Sequence, residues 1–447
     1  MLIDANSLYP VNDLSIYRGA VLRPISEHQA EFIKDAIIVY ASKGDLEGKI
    51  LGIGDAQQIA YQFSLNLDDL KINPGLLMPA FFDTHFHWVQ DDVREMPKVS
   101  LIEWLERYTF PEEARYFDVE FARTKARSFW KRILSVGTIG GFCYSSIHET
   151  ALAEAISHAP EDFYIGNVLM TMNCPDYLKQ TEAEAKLSVN YCSDLYKNRY
   201  VCTPRFAPTT SPYVMLEAAQ AAERHNCFLQ THLSETQNEI KWVIDIYNEL
   251  TGFEDVRTYT DIYKRVNMLG PKTILGHCIH LEEREWKLLS DSQSKIASCP
   301  TSNAPINQLG IGSGLFDFQK AESMDIHWSL ASDIGGGPFL SMFDVMKSFV
   351  EQNREIGVFN ANYTKALYRC TFMGADAMGL SSNRGMLKDG FYFDAIRVPL
   401  PKNISNLKDS EEVLESLITS LPSRASAENL VLETIIKGKT RFKNNRA

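Results

Sequence analysis

Leu76-Leu77-Met78-Pro79-Ala80-Phe81-Phe82-Asp83-Thr84-His85-Phe86-His87 runs from an apolar stretch straight into a His-x-His pair. Residues two apart on a strand face the same side, so the imidazoles of His85 and His87 can reach one metal ion. The pair alone is a weak signal. Its weight depends on what the rest of the chain places beside it.

Working outward, the run at 76–82 is the first of eight short apolar runs. The others cover 137–144, 164–171, 200–206, 227–232, 273–278, 295–299 and 327–333. Polar or Gly/Pro-containing residues follow each one, and then usually a segment with helical periodicity. The clearest helix starts after Ser211, an N-cap residue, with Pro212 in its first turn and Asn226 to end it. Strand and helix alternating about eight times predict a closed parallel TIM-like (β/α)8 barrel. The flanks read differently. Residues 15–24, 36–41 and 49–63, with 391–400 and 430–441, are short β-like runs rich in Val, Ile, Thr and Tyr. They predict a small β-sandwich built from both chain ends, 1–75 plus 385–447, beside a catalytic barrel over 76–384. The charged, Ser-rich stretch 409–428 reads as a surface helix and loop.

A chain of 447 residues accommodates one barrel of about 250 residues and a smaller appendage. Hydrophobic content of 45% with 23% charged residues excludes a disordered chain. Forty-five basic against 57 acidic residues leave −12, a field that repels phosphate backbones and argues against nucleic-acid binding. No run approaches the ~18 apolar residues of a membrane span. Met1-Leu2-Ile3-Asp4 lacks the basic start of a secretory signal. Eight sparse cysteines, six of them in apolar runs, read as reduced thiols of a cytoplasmic protein.

His232 closes the fifth run, His277 the sixth and Asp333 the eighth. Residues at the C-terminal ends of barrel strands converge on one mouth, where active sites lie. Imidazoles and a carboxylate gathered there suit Zn²⁺ or Fe²⁺. His28, His148, His158, His225, His280 and His327 have no such placement and read as structural; His225 closes a helix, where a cation favours the dipole.

With these residues in place the chain resembles the amidohydrolase superfamily, and within it the guanine deaminase family, over nearly its whole length. The superfamily pattern is Phe82-Asp83-Thr84-His85-Phe86-His87 after the first strand. Gln230-Thr231-His232, Leu275-Gly276-His277-Cys278 and Ser332-Asp333 follow in order. The narrower likeness lies between Gln90 and Glu112, where Trp104-Leu105-Glu106-Arg107-Tyr108-Thr109-Phe110-Pro111 is similar to a string found in guanine deaminases. Thr203-Pro204-Arg205-Phe206, His232-Leu233-Ser234-Glu235 and Ser332-Asp333-Ile334-Gly335-Gly336 resemble that family's substrate-contacting motifs. The resemblance implies a metal-dependent hydrolase that converts guanine to xanthine and ammonia. It implies one Zn²⁺ per chain, Fe²⁺ not being excluded, on His85, His87, His232 and Asp333. Glu235 is the implied proton shuttle, and His277 the partner of the activated water or substrate. Gln90, Arg205 and Phe206 are the implied purine contacts, joined at the reacting end by His87, His232, Glu235 and Asp333. A small-molecule purine and a second copy in a homodimer are the implied partners, with no nucleic acid and no membrane.

The chemistry accounts for these residue types. Attack on an amidine-like ring carbon requires hydroxide near neutral pH, and a bound Zn²⁺ lowers water's pKa from about 15.7 toward about 7. Asp333 and Glu235 are placed to move protons. The Arg205 fork suits adjacent acceptors such as O6 and N7 of guanine, with Gln90 at the opposite ring edge and Phe206 stacked on the ring. The family's Pro-Gly before the first motif is Pro79-Ala80 here, and Trp88, Val89, Asp91 and Asp92 crowd Gln90. The related late Gly-Lys-x-Ala-Asp signature appears as Lys388-Asp389-Gly390-Phe391-Tyr392-Phe393-Asp394, without its lysine. These departures leave a pterin, an adenosine derivative or a triazine open as alternative substrates. A catalytically dead barrel scaffold is the alternative of another class, opposed by the full set of ligands. No H-x-E with P-C-x-x-C is present, which excludes the cytidine-deaminase fold. No lysine ends the third or fourth strand to be carbamylated between two metals. Leu309-Gly310-Ile311-Gly312-Ser313-Gly314 lacks the strand and helix of a nucleotide loop and reads as a mobile loop.

Overall fold

The computed structural model describes residues 13–304, 310–407, 409–421 and 424–444. Two compact units emerge. One comprises Met1–Phe82, Arg132–Ile139 and Ser341–Ala447, the other Asp83–Lys131 and Gly140–Leu340.

Strands β1 (Leu14–Ser26), β2 (Gln29–Ala41), β3 (Ile50–Asp55) and β4 (Asn73–Pro79) open the chain. The expected β run at 49–63 is half strand and half helix. Asp55 caps the helix Ala56–Gln62 by accepting from Gln57 N at 3.0 Å.

The barrel strands follow as β5 (Phe81–His87), β6 (Thr138–Ser145), β7 (Asp162–Leu169), β8 (Val201–Pro204), β9 (Phe228–Leu233), β10 (Thr273–His277), β11 (Lys295–Ser298) and β12 (Trp328–Leu330). They form one sheet in sequence order, with parallel registers such as His232 against Gly276. Just beyond β12 the Asp333 amide donates to the His85 carbonyl at 2.8 Å, and the His87 amide donates to the Ile334 carbonyl. These bonds join the first and last strands, so the expected (β/α)8 barrel closes. Its strands are buried on both faces, which is why they read as unbroken apolar runs.

One strand differs from expectation. The run at 76–82 is not a single strand; Pro79 ends β4 and the barrel strand begins at Phe81. His85 and His87 therefore sit within β5 itself, not after it. The helix Pro212–His225 begins and ends as the sequence indicates, with Asn226 left-handed at φ 57°. Ser211, however, makes no capping bond with its side chain.

Strands β13 (Ala395–Val398), β14 (Glu433–Ile436) and β15 (Lys439–Lys443) close the chain. The turn between β14 and β15 uses Lys437 and Gly438 at φ 50° and 72°, the positive pair that a two-residue hairpin favours. The β structure from the two chain ends is one continuous mixed sheet, ordered β15-β14-β13-β4-β1-β2-β3. Tyr17, Val21, Ile38, Leu77, Phe393 and Ile435 share one core in it. The expected surface segment contains the helix Ser410–Thr419, which buries Val413, Leu414, Leu417 and Ile418.

Candidate active site

The strand ends deliver the expected side chains to one cavity, lined by His87, Gln90, Arg205, His232, Glu235 and Asp333 among others. His85 Nε2 and His87 Nε2 lie 3.3 and 3.5 Å from Asp333 Oδ1, and the Nε2 atoms of His87 and His232 are 3.2 Å apart. Donor atoms that share a tetrahedral ion at about 2.0–2.2 Å stand roughly 3.3–3.5 Å from each other, so this spacing fits a metal ion. His232 donates Nδ1–H to the Arg205 carbonyl at 2.7 Å, which turns its Nε2 lone pair inward. Among the described residues His85 Nε2 and His277 Nε2 are buried without a hydrogen-bond partner, a costly state unless a cation completes them. The ligating atoms of His85, His232 and His277 also lie within 4.8 Å of one another, which brings His277 to the rim of the same cluster.

Backbone geometry at the mouth is unusual. Ser234, His277 and Asp333 adopt φ of 50°, 72° and 49°. Non-glycine residues reach that region at some strain, which a rigid scaffold holds in place at functional sites. Gly276 must be glycine for another reason: a Cβ there would lie 2.6 Å from the His85 ring.

Burial sets the electrostatics. It holds the imidazoles of His85, His87 and His232 well below their ordinary range, keeping them neutral and able to ligate. The same desolvation, with Asp333 nearby, pushes the Glu235 carboxyl well above its ordinary range. Asn303 Nδ2 donates to Glu235 Oε1 at 3.1 Å and also lies against His277 Nδ1 at 3.2 Å. Part of the Gly-rich loop reaches this group as well. Gly314 N donates to the Asn303 carbonyl at 2.9 Å, and Ser313 Oγ approaches Glu235 Oε1 at 3.5 Å. Leu309 of that loop lies outside the described residues.

At the other end of the cavity Gln90 Nε2 donates to Glu113 Oε1 at 2.8 Å, and Arg205 Nη1 to Glu113 Oε2 at 2.6 Å. Instead of facing opposite edges of a ligand, Gln90 and Arg205 are thus tied side by side by one carboxylate. Phe110 lies 5.3 Å from the guanidinium, and the Phe206 ring 6.1 Å from that of His232. Sequence reasoning missed Glu113, Asn303 and Tyr144, whose ring stacks on His87 at 4.4 Å. It also missed Tyr263, whose hydroxyl donates to the His232 carbonyl at 2.7 Å. Glu113 stands one residue beyond the guanine-deaminase-like segment, the only signal that pointed toward it.

The Amidohydrolase family model matches residues 76–441. The chain belongs to the amidohydrolase family. This family is metal-dependent, and the His/Asp cluster has groups that could bind the ion. Among its relatives, the guanine deaminase of Escherichia coli (strain K12) is 34% identical over 367 residues, covering 80% of each chain. The guanine deaminase of Dictyostelium discoideum is 29% identical over 406 residues, 86% of this chain and 88% of that one. The structure of a guanine deaminase from C. acetobutylicum with guanine in its active site superposes with a TM-score of 0.80 at 25% identity, over 96% of this amidohydrolase and all of that chain. Among the described residues, no helix is long and apolar enough to cross a membrane.

Proposed function

We propose that this amidohydrolase deaminates guanine hydrolytically to xanthine and ammonia, with Zn²⁺ as its ion. One observation carries the reading: a Gln–Glu–Arg arrangement that can meet a heterocycle edge shares one cavity with the His/Asp cluster and a buried glutamate, Glu235. The likeness to guanine deaminases across most of both chains supports it.

His85, His87, His232 and Asp333 are the residues that would hold the ion. When bound, it supplies Lewis acidity that brings water's pKa from about 15.7 toward about 7. Asp333 accepts the proton of the attacking water. Glu235, whose carboxyl burial pushes well above its ordinary range, donates to the ring nitrogen beside C2 as the new C–O bond forms, and the C=N electron pair moves onto that nitrogen. His277, held neutral by burial and oriented by Asn303, steers the oxygen. Asp333 then passes the water's proton to the exocyclic amine while the new hydroxyl gives its proton to the Glu235 carboxylate, so the C–N pair leaves with ammonia and the planar ring is restored with C2=O. Arg205 and Gln90 hold the O6 side of the ring, and Phe206 flanks it. All eight cysteines are unpaired, which supports a reducing, cytoplasmic setting.

The test is ammonia release by metal-replete enzyme from guanine, adenosine derivatives, pterins and triazines. Guanine is expected to give the highest kcat/KM, lost on chelation and restored by Zn²⁺. Preference for a pterin or triazine would overturn the substrate, and activity indifferent to chelation would overturn the metal.

A further inference from the structure

Glu113 is fully buried, and each of its oxygens takes one donor from a residue of the substrate pocket, Gln90 or Arg205. We propose that Glu113 is a positioning residue that sets the hydrogen-bonding polarity of this pocket. By taking the amide nitrogen of Gln90 and one nitrogen of Arg205, it makes Gln90 present an acceptor and Arg205 present donors, next to one another. The inference rests on the deaminase reading above.

The orientation follows from the partners. An ionised carboxylate only accepts, so a flipped Gln90 would set oxygen against oxygen. Among the described residues no donor reaches Gln90 Oε1, and no acceptor reaches Arg205 Nε or Nη2, while both side chains line the cavity. Gly335 keeps that acceptor uncovered: a Cβ there would lie 2.7 Å from Gln90 Cβ and 3.1 Å from its Oε1. Phe110, from the same segment as Glu113, covers the guanidinium face and leaves the edge to the ligand. A carbonyl beside an N–H matches this pattern, as on the lactam edge of guanine. The corresponding edge of adenine, an amino group beside a bare ring nitrogen, sets donor against donor and acceptor against acceptor.

The experiment is an exchange of acid and amide. Glu113→Gln offers one acceptor to two donors, so Gln90 must flip or lose its bond, and the pocket loses its acceptor. KM for the best substrate of the heterocycle panel should rise about 10- to 100-fold, the worth of a hydrogen bond to a charged group, while kcat and bound metal stay nearly unchanged. The double variant Q90E/E113Q restores a matched donor and acceptor between the two positions and keeps an acceptor toward the cavity, so KM should recover most of the loss. A filler of the core would show neither the KM-only effect nor the rescue. Should Glu113→Gln not yield folded protein, Glu113→Asp draws both partners back by one methylene and should show the same KM-only effect. An unchanged KM in the single variants, or no recovery in the double, overturns the role of Glu113. A wild-type enzyme that prefers another heterocycle overturns the guanine reading alone, because the exchange is then read on that substrate.

Discussion

Gly276 offers a direct test of how closely the histidine cluster is fitted. It lies in β10, paired in register with His232, and its φ is outside the left-handed region, so alanine brings a contact problem and no backbone strain. The new methyl would stand 2.6 Å from His85 Cε1 and 2.9 Å from Nδ1; with ordinary contact beginning at 3.4 Å, the ring must retreat by about 0.8 Å (3.4 − 2.6). It has little room to do so. The rings of Tyr144, His232 and His277 lie 4.8, 4.8 and 5.2 Å from it, centroid to centroid. Metal–ligand distances tolerate about 0.2 Å, so a shift of that size removes His85 from useful reach. Overpacking should cost about 1–3 kcal/mol of stability, and metal affinity should fall by at least the roughly 10- to 100-fold seen when ligand orientation is lost. The assay is elemental analysis after gel filtration in metal-free buffer, paired with kcat. Gly276→Ala should hold well under one equivalent and regain part of its activity in excess metal. A full equivalent with wild-type kcat would refute the packing argument.

Two further expectations concern buried carboxyl groups. Glu235→Gln should keep metal and substrate affinity yet lose roughly 10²–10⁴-fold in kcat; because the protonated form donates, wild-type kcat should fall as pH rises through the raised Glu235 pKa. Near-normal turnover in that variant, or a wild-type profile with no alkaline limb, removes Glu235 from the mechanism. Burial, with Glu235 as a second cause, pushes Glu239 from its ordinary 4.5 up to about 8. The folded state then holds a proton that the unfolded chain releases, so this contribution to stability is complete below pH 4.5 and lost as pH rises through 8. The Tm difference between Glu239→Gln and wild type should therefore grow in the variant's favour from pH 5 to above pH 8, and a constant difference would contradict the assignment.

Much of the barrel was legible because parallel strands covered on both faces must be apolar throughout, and the eight runs stand out against charged helices. The gathering of His85, His87, His232 and Asp333 followed from position: a histidine or aspartate that ends such a run has one place to go. What stayed hidden had a local cause in each case. Residues 76–82 are uniformly apolar, so nothing but Pro79 marked the passage from β4 to β5. Ser211 has the right residue type for a cap, yet its preference gave no information on whether the hydroxyl would turn toward the helix. Glu113 was the hardest to find. Its role lies in a pair with Arg205, 92 residues away, and no periodicity connects the two. A glutamate beside Glu112 reads as a solvated charge until the fold brings a buried guanidinium against it.

The closing seam of the barrel has a consequence for the life of the chain. It joins residues about 245 positions apart: Thr84 Oγ1 meets Ser329 Oγ at 2.8 Å, and Ser332 N donates to Asp83 Oδ1 at 3.0 Å, beside the Asp333 to His85 backbone bond. The ring is therefore a bracelet whose two ends meet late in synthesis, and His85, His87 and Asp333 sit on either side of its clasp. An ion held across them, as proposed above, would add to the clasp, and by mass action its free concentration would set how far the closed ring is stabilised. Without that ion the seam would rest on its hydrogen bonds alone, so the place where the chain's first barrel strand meets the residues after its last would carry the stability lost with the metal.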